Sequence, residues 1–189
     1  DSVGGEFNAF TGKEYTGYHI KAASIHLPLI IDMLSDMLCN SKFDEAEIER
    51  ERGVIIEEIN MYEDTPMRRV VEIYEQVLWD GSPLGSDVGR RREIIRKISK
   101  QNLLDYIEAT YVHNNMVVAI GGDFSKARSV ALAGKYFGHK KPHDVAGYEA
   151  AFDNQKKPSL KTTYKKTDQA HLVVGFRGIK LAHPDRYNA

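Results

Sequence analysis

The sequence predicts an α+β fold, with helices packed on one face of a mixed or antiparallel sheet. Three observations carry it. Aromatic residues and threonines nearly alternate over residues 6–22, the period of a strand. Apolar residues then recur at helical spacing in several segments between residues 25 and 137. Two short strand-like runs, 160–166 and 170–176, follow a stretch without periodicity.

In order, a Gly-Gly turn at Gly4-Gly5 precedes Phe7, Phe10, Tyr15, Tyr18 and Ile20. These read as two strands, or one bent strand, broken around Thr11-Gly12-Lys13. Ser24 is placed to cap a helix over 25–39, with Leu27, Ile30, Ile31, Leu34 and Leu38 inward and Pro28 in the first turn, where proline is tolerated. A long helix over 44–62 follows. Asp44 suits its N-cap, Glu47 completes a capping-box pattern, and Phe43 is a candidate hydrophobic staple. Thr65-Pro66 restarts a helix over 67–79, with Val70, Val71, Tyr74, Val77 and Leu78 on one stripe. After the loop 80–85, short helices are expected over 90–98 and, capped by Ser99, over 100–111. Residues 115–121 read as a buried strand ending in Gly-Gly. Ser125 caps a helix running to Phe137, with Gly138 as its C′ residue. Residues 139–158, rich in Lys, Pro, Asp, Gly and Asn, read as a linker between a first domain over 1–138 and the beginning of a second over 159–189.

Composition is that of an ordinary globular chain: 42% apolar, 28% charged and a net charge of −1, so no electrostatic pull toward nucleic acid or anionic membrane is expected. No apolar run approaches the ~18 residues of a membrane span. The single cysteine, Cys39, excludes a disulfide framework and a cysteine-rich zinc site. Of the seven histidines none forms an H-E-x-x-H or H-x-x-E-H pair, and His139 and His143 fall in the linker. P-loop, G-x-S-x-G and dinucleotide fingerprints are absent. Gly4-Gly5-Glu6-Phe7 and Gly121-Gly122-Asp123-Phe124 read as turns, and the arginine run 90–92 with Arg96 and Lys97 as a solvated basic face.

The long helix holds the residues that need explaining. At 100° per residue, Ile48, Ile55, Ile59 and Tyr62 share one stripe, and Glu51 and Glu58 lie side by side at its margin while Glu57 points the opposite way. Two carboxylates beside a core-facing stripe call for compensation by Arg or Lys, or by a metal ion. The plainer alternative is a solvated face laced with i,i+4 pairs.

Two stretches carry a resemblance. GGEFNAFTGKEYTGYH (residues 4–19) and ERERGVIIEEINMYEDTP (residues 49–66) resemble, in order and spacing, two signatures of the pitrilysin/insulinase family of zinc metallopeptidases, closest to its bacterial, processing-peptidase-like branch. HNNMVVAIGGDF (113–124) and QAHLVVGFRGIKLAHPDRY (169–187) look like later landmarks. The resemblance implies the family's α+β metallopeptidase domain, followed by the first strands of a second similar one.

It also implies a site. The family holds Zn2+ with two histidines of an inverted H-x-x-E-H helix and a glutamate from a later helix; Glu58 falls on that glutamate, and Glu51 on an acidic residue that supports the ligands from behind. Zinc so held lowers the pKa of water and polarises a peptide carbonyl, with the motif's glutamate as general base. Asn8, Ala9 and Phe10 fall on an edge strand that pairs with extended peptide substrate. The inverted motif is not among the 189 residues, so the expectation is a fragment of a zinc metalloendopeptidase, inactive and without bound zinc as it stands. The alternative is a non-catalytic peptide-binding or scaffold subunit. Extended peptide is the expected partner, with self-association through the open edge or through absent halves, and without nucleic acid or membrane. The expected compartment is the bacterial cytoplasm, or else the mitochondrial matrix.

Overall fold

The computed structural model describes residues 2–86, 92–139, 141–151 and 155–187. Two strands and six α-helices appear among them: β1 (Glu6–Thr11), β2 (Thr16–Lys21), α1 (Leu27–Cys39), α2 (Glu45–Glu63), α3 (Pro66–Leu78), α4 (Arg92–Lys97), α5 (Lys100–Thr110) and α6 (Lys126–Phe137). The chain divides into two compact units, residues 1–53 with 93–148, and residues 54–92 with 149–189.

In the first unit β1 and β2 form an antiparallel hairpin, Glu6 opposite Lys21 through Thr11 opposite Thr16. Gly12 N donates to Tyr15 O at 2.8 Å and closes the turn. Gly4 and Gly122 take positive φ, 64° and 137°, the first just after a turn over Ser2-Val3 and the second within a bend over Gly122-Asp123. Helix α1 packs against α6 and β2. Its buried face carries Leu27, Ile31 and Ser35, with Ile30, Leu34 and Leu38 half-buried beside them. Helix α1 begins at Leu27 after a 3-10 turn over Ser24–His26, so Ser24 does not cap it. Ser99 does cap α5: its Oγ accepts from Asn102 N, while Asn102 Oδ1 accepts from Ser99 N at 3.0 Å. Arg52 reaches from α2 to the carbonyls of Ile95 and Ile98 (2.9 Å to the latter) and satisfies the C-terminal end of α4.

In the second unit Ile59 of α2 is 2% exposed and is the most buried apolar side chain described. Arg92 grips the end of α2, donating to both Glu63 oxygens (2.9 and 2.6 Å) and to Asn60 Oδ1 (2.8 Å). Residues 155–187 contain neither helix nor strand among the described residues. They are pinned to the α3 region instead. Arg177 lies over the Trp79 ring at 4.9 Å and donates to Leu78 O, and Lys161 Nζ donates to Gln76 Oε1 at 3.0 Å. Lys165 pairs with Asp64 at 2.7 Å and holds its carboxyl below the usual carboxylate range.

Several local expectations change. Asn115 closes a 3-10 turn over His113–Asn115, residues 116–121, 160–166 and 170–176 are neither strand nor helix, and Val117 is 94% exposed. Alternating or apolar residues favour extended backbone, but a strand exists only where a second row of N–H and C=O groups pairs with it. The sheet is therefore a two-stranded hairpin among helices, a smaller β component of the same mixed class. Thr65 does not cap α3. Its hydroxyl donates back to Met61 O at 3.0 Å, the competing local bond open to threonine. Gly138 follows α6 in right-handed conformation, φ −74°, where a Cβ would lie 2.4 Å from Gly134 O. Arg90 and Arg91 of the basic run lie outside the described residues.

Candidate functional site

Helix α2 runs unbroken through residues 45–63, and its cause is legible. Asp44 Oδ1 accepts from Ala46 N at 3.0 Å at the N-terminus, and Ile48, Ile55, Ile59 and Tyr62 form the inward stripe expected of them. The carboxylates divide by partner. Glu47 pairs with Arg50 (2.7 Å), Glu49 with Arg52 (2.9 Å) and Glu63 with Arg92 (2.6 Å). Glu51 and Glu58 are exposed and have no partner among the described residues; Glu57, equally unpartnered, lies on the opposite face. Seven residues of helix put about 10 Å of rise between Glu51 and Glu58, so the two occupy different points along the helix.

A zinc centre needs three protein donors. No group of three or more His, Cys, Asp or Glu side chains that could hold a metal occurs among the described residues. The described residues therefore do not make up a whole metal centre by themselves.

The second predicted site is β1. All six of its residues are exposed, and its one paired neighbour among the described residues is β2. In an antiparallel ladder alternate residues aim N–H and C=O at the partner strand and the others aim theirs away. Gly12 N bonds across the turn, which puts the even-numbered residues of β1 on the β2 side. Ala9 N instead donates to Asn8 Oδ1 at 2.8 Å, which agrees: Phe7, Ala9 and Thr11 present the open edge. The Phe10 ring covers Gly17, its cross-strand partner, and meets Tyr15 edge-on at 6.0 Å.

The structure also brings together residues no sequence pattern singled out. Tyr18 and Tyr111, 93 positions apart, share a hydroxyl–hydroxyl bond of 3.0 Å. Burial, then that bond, pushes the Tyr111 phenol above the ordinary tyrosine range. They line a cavity of about 520 Å³ at the foot of the hairpin, with Tyr15, Tyr106 and Tyr148. A second cavity, about 570 Å³ and mainly apolar, lies among β2, α1 and residues 116–124. Such pairings over long sequence distance have no period to betray them.

Two family models match in tandem: insulinase (peptidase family M16) over residues 1–90, and the peptidase M16 inactive domain over residues 97–189. The chain belongs to peptidase family M16. Among its M16 relatives is the uncharacterized zinc protease YmxG of Bacillus subtilis, 32% identical over all of this chain and 45% of that protein. The beta subunit of human mitochondrial-processing peptidase is 32% identical over 98% of the chain and 38% of its own length. Subunit 1 of the bovine mitochondrial cytochrome b-c1 complex is 31% identical over 98% of the chain and 39% of its length. The chain thus spans less than half of each of these relatives. The M16 fold recurs in solved structures. A Helicobacter pylori protease superposes with a TM-score of 0.71 at 20% identity, covering 80% of this chain and 36% of that one. A peptidase M16 inactive domain from Pseudomonas fluorescens gives 0.72 at 16% identity, covering 80% and 37%.

Proposed function

We propose that this chain is part of a zinc-dependent metalloendopeptidase that cleaves extended peptides or unfolded, presequence-like segments, and that it is inactive by itself. The observation that carries the reading is the state of Glu58. It stands exposed and unpartnered on a continuous helix whose neighbouring carboxylates Glu47, Glu49 and Glu63 are each taken by an arginine. A carboxylate kept clear of arginines is free to serve an ion. In this reading Glu58 is one zinc ligand, and Glu51 orients a histidine ligand from behind. The remaining donors and the general base belong to an H-x-x-E-H helix preceding residue 1 in a longer protein. In this reading the open edge of β1 binds substrate backbone at Ala9, while Asn8 and Phe10, whose own backbone faces β2, flank that contact with their side chains, which gives affinity with little dependence on side-chain sequence. Bacterial cytoplasm is the compartment that suits this reading, with the mitochondrial matrix as the alternative.

The test is metal content. A longer protein that includes the inverted motif binds one zinc per chain. Glu51→Gln weakens that binding by roughly 10- to 100-fold, the range of outer carboxylates, and Glu58→Gln weakens it more. Equal zinc in parent and Glu58→Gln removes the ligand role. The 189-residue chain, titrated alone, takes up no stoichiometric zinc at Glu58.

A second reading has its own support. The bovine relative at 31% identity is named as a subunit of the cytochrome b-c1 complex, not as a peptidase. A non-catalytic scaffold or peptide-binding subunit would keep β1 and the fold without the metal. Sequence upstream of residue 1 separates the two: an H-x-x-E-H helix supports the peptidase, its absence the scaffold.

A further inference from the structure

We infer that the Asn8 side chain is a built-in cap on the peptide-binding edge, which an incoming strand must displace. The inference rests on the reading of β1 as that edge and adds what holds the edge when it is empty. Of the residues facing outward on β1, Ala9 is central, between Phe7 and Thr11. Its N–H is the donor an added strand would engage first from the middle of the edge. That N–H is already occupied, by Asn8 Oδ1 at 2.8 Å. The side chain supplies an amide oxygen, the same acceptor chemistry as a peptide carbonyl, so it mimics the ligand it excludes. Asn8 itself belongs to the set whose backbone faces β2, so its side chain can swing aside without disturbing the hairpin ladder.

Two consequences follow for the ligand. A bound peptide places a carbonyl on Ala9 N–H and an N–H on Ala9 O, so the residue paired with Ala9 cannot be proline. The cap lowers affinity for every strand alike and protects the lone edge from indiscriminate pairing.

The experiment uses the 189-residue chain, with amide exchange at Ala9 followed by NMR against Phe7 and Thr11 as references. Binding is read by fluorescence anisotropy of a labelled short peptide of alternating valine and threonine flanked by lysines. Asn8→Ala should speed exchange at Ala9 alone by roughly two- to tenfold, and tighten peptide binding by a similar factor, the span of one modest hydrogen bond. Asn8→Asp, which keeps the acceptor oxygen, should retain the parent's exchange. If the parent binds peptide and Asn8→Ala binds equally or more weakly, the cap is overturned while the edge stands. If neither protein binds the peptide, the edge reading falls, and the cap has nothing to compete with.

Discussion

Phe43 sits at φ 45°, the one non-glycine residue with positive φ among the described residues, immediately before the N-terminus of α2. A branched or bulky side chain there costs roughly 1–2 kcal/mol, because Cβ crowds the following carbonyl. The half-buried ring is the compensation, in the position expected of a staple. Truncation separates the two effects. Phe43→Ala loses the ring and keeps the strain, whereas Phe43→Gly loses both. The glycine variant should therefore be the more stable of the pair by about 1 kcal/mol, read from urea midpoints. A glycine variant no more stable than the alanine variant would show that the backbone is not strained there.

Helices α3 and α5 begin with a hydroxyl residue that the sequence marks as a cap, and only one of them works. Ser99 makes the reciprocal box with Asn102, while Thr65 turns its hydroxyl back to Met61. Ser99→Ala should cost about 1 kcal/mol, and Thr65→Ala should fall within about 0.5 kcal/mol of the parent in the same denaturation assay. The pair also shows what could be read in advance. Helices were legible because periodicity and caps are local: the α2 stripe with Ile59 inward, the α1 face from Leu27 to Leu38, and the hairpin turning at Gly12 all lie where the pattern put them. Residues 115–121 and 160–176 were misread because a ladder depends on a partner that no window of sequence contains. The candidate residues of β1 and α2 came from signature resemblance, and geometry adds their partners: Arg50, Arg52 and Arg92 for three glutamates, the Asn8 oxygen for Ala9.

For the molecule as a whole, alkaline pH is the informative axis. The Tyr111 phenol titrates higher in the fold than the value near 10 expected of an unfolded chain, because ionising it would place charge at a partly buried site and cost it its own proton in the bond with Tyr18. A group with a raised folded pKa contributes stability that is complete below the unfolded value and is lost as pH rises through the folded one. Stability should thus decline above about pH 10, and Tyr111→Phe should flatten that decline in thermal melts recorded across the range. An unchanged alkaline slope would locate the loss elsewhere. The open β1 edge acts at the same scale. Self-association of the chain is expected to depend on concentration in sedimentation, and Ala9→Pro, which deletes an outward N–H and leaves the β2 ladder intact, should reduce it.

The stretch from Lys161 to Arg177 has one more consequence. Trypsin cuts where the backbone opens most readily, and this stretch has no helix or strand to melt first. Lys161, Lys165 and Arg177 are tethered by Gln76, Asp64 and Trp79, whereas Lys166 has no tether among the described residues. Brief digestion should nick the chain after Lys166 before the other three. A member of a peptide-cutting family thus carries, in its own length, a piece that a protease can reach without unfolding it.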